Sequence, residues 1–161
     1  MQSTSVGEKA SSTSVPEGRH GTAALIHASA VRFCNKGVLL LGPSGAGKSD
    51  MALCLIEAGA MLIADDQLHL RRQGDRLHAA PPDRLAGLIA LRGLGIMRLP
   101  FAPGPLDLAV DLVPSGALAD PLPEPAAASW HGVDLPRICL DPHRPSAVAR
   151  IRVVLQAERV C

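Results

Sequence analysis

Residues 37–49 read Gly-Val-Leu-Leu-Leu-Gly-Pro-Ser-Gly-Ala-Gly-Lys-Ser, an apolar run that leads directly into a glycine-rich loop. The loop has the form G-x-x-x-x-G-K-[ST] over residues 42–49, and residues 50–58 continue with the composition of a helix. This pattern binds phosphate only between a strand and a helix, which is the context that these flanks predict. The stretch therefore predicts a nucleoside triphosphate site within an α/β fold.

The glycines of this loop let several backbone N–H groups point at one phosphate chain. The N-terminus of the following helix adds positive potential at the same place. Lys48 is expected to reach the β- and γ-phosphates of ATP, and the Ser49 hydroxyl to ligate Mg²⁺. The predicted nucleotide-binding residues are Gly42, Pro43, Ser44, Gly45, Ala46, Gly47, Lys48 and Ser49.

The composition indicates one domain with a single substantial core, because the chain has 161 residues of which 47% are hydrophobic. A formal net charge of +1 gives no field that favours nucleic acid or an anionic membrane. The first twenty residues lack the apolar segment of a signal peptide, and no run approaches the roughly 18 apolar residues of a membrane span. We expect a cytoplasmic protein that binds neither nucleic acid nor membrane.

The first half of the chain predicts many short strands. Residues 1–21 are rich in Ser, Thr, Gly, Glu and Lys, and predict a disordered arm before a domain over residues 22–161. Strands are expected at residues 22–28, 30–34, 37–41, 61–64, 67–71 and 76–79, with Asn35 and Gly37 as turn formers. Residues 81–87 predict a loop or one helical turn.

The second half predicts fewer elements. Residues 106–113 alternate in part and favour a half-buried strand, whereas the proline-containing stretch 114–135 favours irregular structure. A short strand at 136–140 and a helix at 147–158 follow, the helix with apolar residues at Val148, Ile151, Val154 and Leu155. Several hairpins and only two helices predict a mixed sheet with antiparallel strands around the phosphate loop.

Asp65 and Asp66 follow the apolar strand 61–64 and are expected at its carboxyl end, where open α/β sheets bind ligands. One carboxylate could hold Mg²⁺ while the other accepts a proton from an attacking hydroxyl. Adjacent residues of an extended chain point to opposite sides, so the two are expected to have different roles. A turn or helix cap is the alternative explanation for the pair.

Two further residues are candidates on weaker patterns. A single histidine such as His27 is more often structural than catalytic. Arg92, followed by Gly93 and Gly95, could stabilise charge on a transferring phosphoryl group or form an ordinary ion pair.

His27, the loop with its preceding strand, Ala64-Asp65-Asp66 and Arg92-Gly93-Leu94-Gly95-Ile96 together resemble the catalytic domain of HPr kinase/phosphorylase. The resemblance covers residues 22–98 and, more weakly, continues through residue 154. It implies an HPr-kinase/PEP-carboxykinase-like fold, in the short form that lacks the family's N-terminal domain. It also implies a ring-like hexamer.

The function that the resemblance implies is Mg²⁺-dependent transfer of phosphate from ATP to a serine of HPr, a carrier protein of the sugar phosphotransferase system, together with the reverse phosphorolysis. Asp66 corresponds to the base and Asp65 to its support and a metal ligand, with Lys48, His27 and Arg92 as further active-site residues. Residues 141–145 fall where the family has a Pro-Gly-Arg-Asn-like loop linked to phosphorolysis.

The sequence departs from the family pattern at two places. The family has a metal-ligating Glu where this chain has Ala90, and an active-site Arg near the position of Pro121. An alanine cannot ligate metal, so Mg²⁺ would be held by Ser49, an aspartate and water. Two alternatives therefore stay open: a nucleotide-sensing regulatory module without turnover, and a kinase for a small metabolite.

Overall fold

The computed structural model describes residues 23–118, 123–158 and 160. The predicted N-terminal arm at 1–21 and Pro121 lie outside these residues. Within the described residues the elements, in chain order, are β1 (Ala24–Ile26), β2 (Ser29–Phe33), β3 (Lys36–Leu41), α1 (Lys48–Glu57), β4 (Met61–Ala64), β5 (Leu68–Gln73), β6 (Arg76–Ala80), β7 (Leu88–Leu91), β8 (Gly95–Arg98), β9 (Gly104–Pro105), β10 (Leu108–Leu112), β11 (Ala126–Trp130), β12 (Val133–Leu140) and α2 (Ala147–Gln156). Two short 3₁₀ turns occupy Asp83–Leu85 and Ser115–Ala117.

The main sheet has six strands in the order β11-β12-β10-β3-β2-β4. Strand β10 is parallel to both β3 and β12, whereas β2 is antiparallel to β3 and β4, and β11 is antiparallel to β12. Because β3 and β4 are both antiparallel to the strand between them, they run in the same direction. The loop after β3 and the aspartates after β4 therefore emerge at the same edge of the sheet.

Two smaller sheets complete the fold. Strands β1, β5, β6 and β9 form an antiparallel sheet in the order β1-β5-β6-β9, and β7 and β8 form a separate hairpin. The predicted mixed sheet with antiparallel strands and two helices is confirmed. Neither of the helices in the described part of the chain is long and apolar enough to cross a membrane.

Both faces of the main sheet are covered, which explains the continuous apolar run of β3. On one face, Leu40 and Val110 pack with Leu55 of α1 and Ile151 of α2. On the other, Leu39 belongs to a second core cluster together with residues of β5 and β6. Successive β3 side chains point to opposite faces, so Leu39 and Leu40 serve different cores.

Four predictions of local structure differ from the structure. The stretch 114–135 is irregular only in part, because residues 126–130 and 133–135 pair as a hairpin within its described residues. Strand β10 is not half-buried: it lies between β3 and β12, and only Asp111 is partly exposed. Gly37 lies within β3 rather than in the turn, which is formed at Cys34 and Asn35 with φ of 52° and 61°. Val154 faces solvent with 42% of its surface exposed.

Candidate active site

The glycine-rich loop connects β3 to α1, as predicted. Gly45 and Gly47 adopt φ of 83° and 95°, the left-handed region that residues with a Cβ rarely occupy. The Ala46 N–H donates to the Pro43 carbonyl at 3.0 Å and closes a tight turn within the loop. Gly47 then precedes the first residue of α1. The glycines thus allow the chain to reverse tightly and place the start of a helix at the edge of the sheet.

Lys48 is the first residue of α1, and only 7% of its surface is exposed. Its Nζ donates to the carbonyl oxygens of Gly42 at 2.7 Å and Pro43 at 2.9 Å. Burial lowers the pKa of the Lys48 ammonium, and the charges of Asp66 and Asp65 partly oppose that shift. The lysine is therefore held against the loop, with two carboxylates nearby.

Asp65 is buried, with 2% of its surface exposed, and is hydrogen-bonded from three elements. The Ser29 hydroxyl of β2 donates to its Oδ1 at 2.6 Å, and the Ser49 hydroxyl of α1 lies 2.8 Å from Oδ1 and 3.0 Å from Oδ2. The backbone N–H of Ala90 in β7 donates to Oδ2 at 3.1 Å. Asp65 therefore ties the start of α1 to the sheet and lies behind Ser49, not among the residues that line the cleft.

Asp66 has the opposite environment. Its φ of 66° ends the extended path of β4, and 55% of its side chain is exposed. Its carbonyl accepts the N–H of Ala28 at 3.1 Å, and its Oδ1 lies 3.4 Å from Nδ1 of His27. One aspartate is thus buried and the other faces solvent, while the different roles expected of them stay a prediction.

One cleft of about 560 Å³ brings the candidates together. Its walls come from the loop, the ends of β1 and β4, the β7–β8 hairpin and the segment before α2. The residues that line it are His27, Ser44, Gly45, Gly47, Lys48, Ser49, Asp50, Asp66, Ala90, Leu91, Arg92, Gly95, Ile96 and His143. Five of the six predicted catalytic or metal-binding residues therefore face the cleft, and the sixth, Asp65, contacts one of them.

Arg92 reaches the cleft from the turn of the β7–β8 hairpin, and glycines make that turn possible. Gly93 and Gly95 have φ of 84° and 97°, and the turn places Arg92 at the cleft. Ala90 also lines the cleft, with its side chain exposed and its N–H bound to Asp65. The Ala90 methyl group thus lies at the cleft, at the position where the resemblance implies a carboxylate.

The sequence analysis missed Ser29 and Asp50 as residues of this region, and it included His143 only within the segment 141–145 that the resemblance links to phosphorolysis. His143 lies in the segment between β12 and α2, and its N–H donates to the buried carboxylate of Asp141 at 2.9 Å. An Asp followed two residues later by a bonded backbone N–H is a common turn motif, so the Asp-Pro-His sequence was the available signal. For Ser29, 36 residues from Asp65, no local signal exists.

The cleft suits an anionic ligand that carries a cation. Lys48 and Arg92 supply positive charge, whereas Asp66 and Asp50 supply carboxylate oxygens on the same walls. Backbone N–H groups at the start of α1 add further donors for an anion. Among the described residues no cluster of three or more His, Cys, Asp or Glu side chains forms a metal site built from protein ligands alone.

The mixed arrangement of parallel and antiparallel strands is that of a known α/β fold. The chain is similar to the solved structure of the Hpr(Ser) kinase/phosphatase from Coxiella burnetii, with a TM-score of 0.72 and 25% identity over 83% of this chain and 99% of that one. Residues 20–104, just over half of the chain, match the family model of the HPr serine kinase C-terminal domain. The chain belongs to this family.

Curated relatives agree with this assignment. The HPr kinase/phosphorylase of Bacillus cytotoxicus is 38% identical over 88 residues, which are 54% of this chain and 28% of that protein. Those of Caldanaerobacter subterraneus and Chlorobium limicola are 44% and 47% identical over 73 residues, covering 45% and 44% of this chain and 24% and 22% of theirs. The chain thus matches about a quarter of the length of these relatives.

Proposed function

We propose that this chain is an ATP- and Mg²⁺-dependent kinase that phosphorylates a serine of an HPr-type phosphocarrier protein. The observation that carries the proposal is the convergence of Lys48, Ser49 and Asp66 in one cleft. Loop amides and Lys48 would bind the phosphates of ATP, while Asp66 faces the same space with an exposed carboxylate. Membership of the HPr serine kinase family supports HPr as the acceptor.

Each residue has a defined task in the proposed transfer. Asp66 accepts the proton of the acceptor serine as the serine oxygen bonds to the γ-phosphorus, and the bond from that phosphorus to the β–γ bridging oxygen breaks. Lys48 and Arg92 stabilise negative charge on the phosphates, and His27 orients the Asp66 carboxylate. In the phosphorolysis, an oxygen of inorganic phosphate would bond to the phosphorus of phosphoserine as the bond from that phosphorus to the serine oxygen breaks, which gives pyrophosphate. Asp66 would take the proton of the attacking phosphate and return it to the serine oxygen.

The side chains present fit a Mg²⁺ ion bound together with nucleotide. Mg²⁺ commonly takes one or two protein oxygens, with phosphate oxygens and water completing its octahedron. Ser49 and Asp66 offer such oxygens at the cleft, and Asp65 contacts Ser49 from behind. When bound, the ion would neutralise charge on the phosphates. We propose that Ser49 holds it and that Asp65 acts on it through Ser49.

The acceptor is proposed to be a protein because the rim of the cleft carries exposed apolar side chains. Ile96 lines the cleft with 71% of its surface exposed, and Leu94 beside it is 68% exposed. Exposed apolar side chains at a site mark contact with a larger partner more often than with a small polar metabolite. The ring-like hexamer that the resemblance implies stays a prediction, which sedimentation of the purified chain would check.

The proposal is tested by phosphate transfer from ATP to purified HPr. Asp66→Asn should reduce the rate by at least about 100-fold, since general bases commonly contribute 10²–10⁴-fold. Lys48→Ala should reduce it by about as much, because it removes a charge that stabilises the phosphates in the transition state. Asp75→Asn, the same change in the exposed β5–β6 turn, should leave the rate unaltered. Absence of transfer by the unmodified chain at saturating ATP and Mg²⁺ would falsify the kinase proposal.

A nucleotide-sensing module without turnover is the second candidate, because Ala90 presents a methyl group where a further metal ligand would lie. Calorimetry of ATP binding together with an assay for phosphoserine on HPr distinguishes the two candidates. A sensing module binds ATP with Mg²⁺ tightly and yields no phosphorylated product, whereas the kinase yields phosphoserine on HPr.

A further inference from the structure

Ser29 is a polar residue in a fully buried position. It is the first residue of β2, none of its surface is exposed, and its neighbours Ala28, Ala30 and Val31 are equally buried. Its hydroxyl donates a short hydrogen bond of 2.6 Å to Oδ1 of Asp65. A hydroxyl at such a position is costly unless it is hydrogen-bonded, so its presence in β2 depends on this contact.

Asp65 in turn has its acceptor positions occupied by the protein. A carboxylate offers about four lone-pair positions on two oxygens. Ser29 and Ser49 approach Oδ1, while the N–H of Ala90 and the Ser49 hydroxyl approach Oδ2. Three elements thus fix the orientation of this side chain, and Asp65 has little capacity left for a direct ligand.

The orientation of Ser49 follows from these contacts. A carboxylate only accepts hydrogen bonds, so Ser49 must direct its single hydroxyl proton at Asp65. Its two lone pairs then point away from Asp65, and Ser49 lines the cleft. An oxygen held in this way is available as a ligand for a cation and not as a donor to phosphate.

We propose that Ser29 is a positioning residue which, through Asp65, keeps the Ser49 hydroxyl oriented as a ligand for nucleotide-bound Mg²⁺. This inference rests on the proposed function in that it requires ATP and Mg²⁺ to bind in the cleft. Ser29 touches neither ligand. Its effect is therefore on the metal dependence of binding, not on the affinity for nucleotide alone.

The test is calorimetry of ATP binding to the full chain, in a Mg²⁺ titration and in EDTA. Ser29→Ala should raise the Mg²⁺ concentration for half-maximal binding by about ten-fold, because partners that orient a metal ligand commonly contribute 10- to 100-fold in metal affinity. Affinity for ATP in EDTA should stay at the wild-type value. Ser29→Thr, which retains the hydroxyl, should restore the wild-type Mg²⁺ requirement.

Val31→Ala is the matched control, since Val31 lies two residues along β2 on the same face, is fully buried and has no contact with Asp65 among the hydrogen bonds described. It should loosen the core without changing the Mg²⁺ requirement. Ser29→Cys, close in size and a weaker donor, gives the same measurement should the alanine variant not fold.

The outcomes separate the two proposals. A Ser29→Ala protein with the wild-type Mg²⁺ requirement overturns the role of Ser29 and leaves the kinase proposal standing. If Val31→Ala raises the Mg²⁺ requirement as much as Ser29→Ala does, the effect is a general loosening of β2, and the role of Ser29 is again overturned. Wild-type binding of ATP that is no tighter with Mg²⁺ than in EDTA overturns both.

Discussion

At the scale of single residues, the two adjacent aspartates show what local pattern encodes. Alternation along a strand predicts that Asp65 and Asp66 point in different directions. One is buried and the other exposed, but both lie beyond the end of β4, and the left-handed φ of 66° at Asp66 contributes to the difference. The buried carboxylate of Asp65 is hydrogen-bonded by Ser29 and Ala90, which are 36 and 25 residues away in the chain. No spacing rule within one strand contains that information, so the network around Asp65 could not be predicted.

Ala90 provides a prediction at the same scale. Ala90→Glu places a carboxylate at the cleft beside Ser49 and retains the backbone N–H that binds Asp65. Because added carboxylate oxygens strengthen Mg²⁺ sites, the Mg²⁺ concentration for half-maximal ATP binding should fall about ten-fold, equivalent to about 1.4 kcal/mol. Calorimetry at fixed ATP measures it. Ala90→Gln has nearly the same size without the charge, and an equal effect of Gln and Glu would contradict the electrostatic explanation.

At the scale of elements, β3 approaches a neighbouring segment closely at Gly37, a residue that the sequence analysis named as a turn former. A Cβ at Gly37 would lie 1.9 Å from the carbonyl oxygen of Pro105. The Gly37 N–H donates to Asp107 Oδ2 at 2.8 Å, and its carbonyl accepts the Asp107 N–H at 2.7 Å. The glycine is thus needed for contact between β3 and the segment that joins β9 to β10, not for a reversal of the chain.

Gly37→Ala should lower the free energy of unfolding by at least about 2 kcal/mol, because the backbone of Pro105 must move to accept a methyl group. Urea denaturation measures the change. Gly104→Ala is the matched control, since Gly104 also lies in a strand and a Cβ there meets nothing within 4 Å. A loss at Gly37 no greater than that at Gly104 would exclude crowding as the cause.

The β11–β12 hairpin shows why part of the sheet was missed. Residues 126–130 are Ala-Ala-Ala-Ser-Trp, which are mostly weak strand formers, so local propensity favoured irregular structure. The strands nevertheless pair through a two-residue turn in which His131 and Gly132 have φ of 51° and 75°. Pro136 precedes the four β12 residues that pair with β10. Pairing of β12 with β10 holds β12 in the main sheet, and β11 then pairs with β12 as the edge strand.

At the scale of the whole molecule, the fold is a sheet with a separate core on each face. The loop, the two helices and the mixed sheet could be predicted, because each has a strong local pattern. The pairing of α2 with α1 over one face could not, since it joins residues about 100 positions apart, such as Leu55 and Ile151. Helical spacing indicated an apolar face of α2 but placed Val154 on it wrongly.

Two substitutions in α2 test this arrangement. Ile151 is fully buried, so Ile151→Ala should lower the free energy of unfolding by about 2–5 kcal/mol through lost burial and a residual cavity. Val154 lies three residues further along the same helix, and 42% of its surface is exposed. Val154→Ala should therefore change the free energy of unfolding by less than about 0.5 kcal/mol. Thermal or urea denaturation gives both values, and similar losses at the two positions would mean that α2 does not dock as described.

Strand β2 lies between β3 and β4, the two strands that end at the cleft, and therefore sets the distance between them. Neighbouring strands lie about 4.8 Å apart, so β3 and β4 are set about 10 Å from each other by one intervening strand. Grafting the glycine-rich loop onto another scaffold, or shuffling β4 into a chimaera, would discard that spacing. The transferable module is therefore the three-strand unit β3-β2-β4, in which the middle strand carries Ser29 and fixes the geometry on either side.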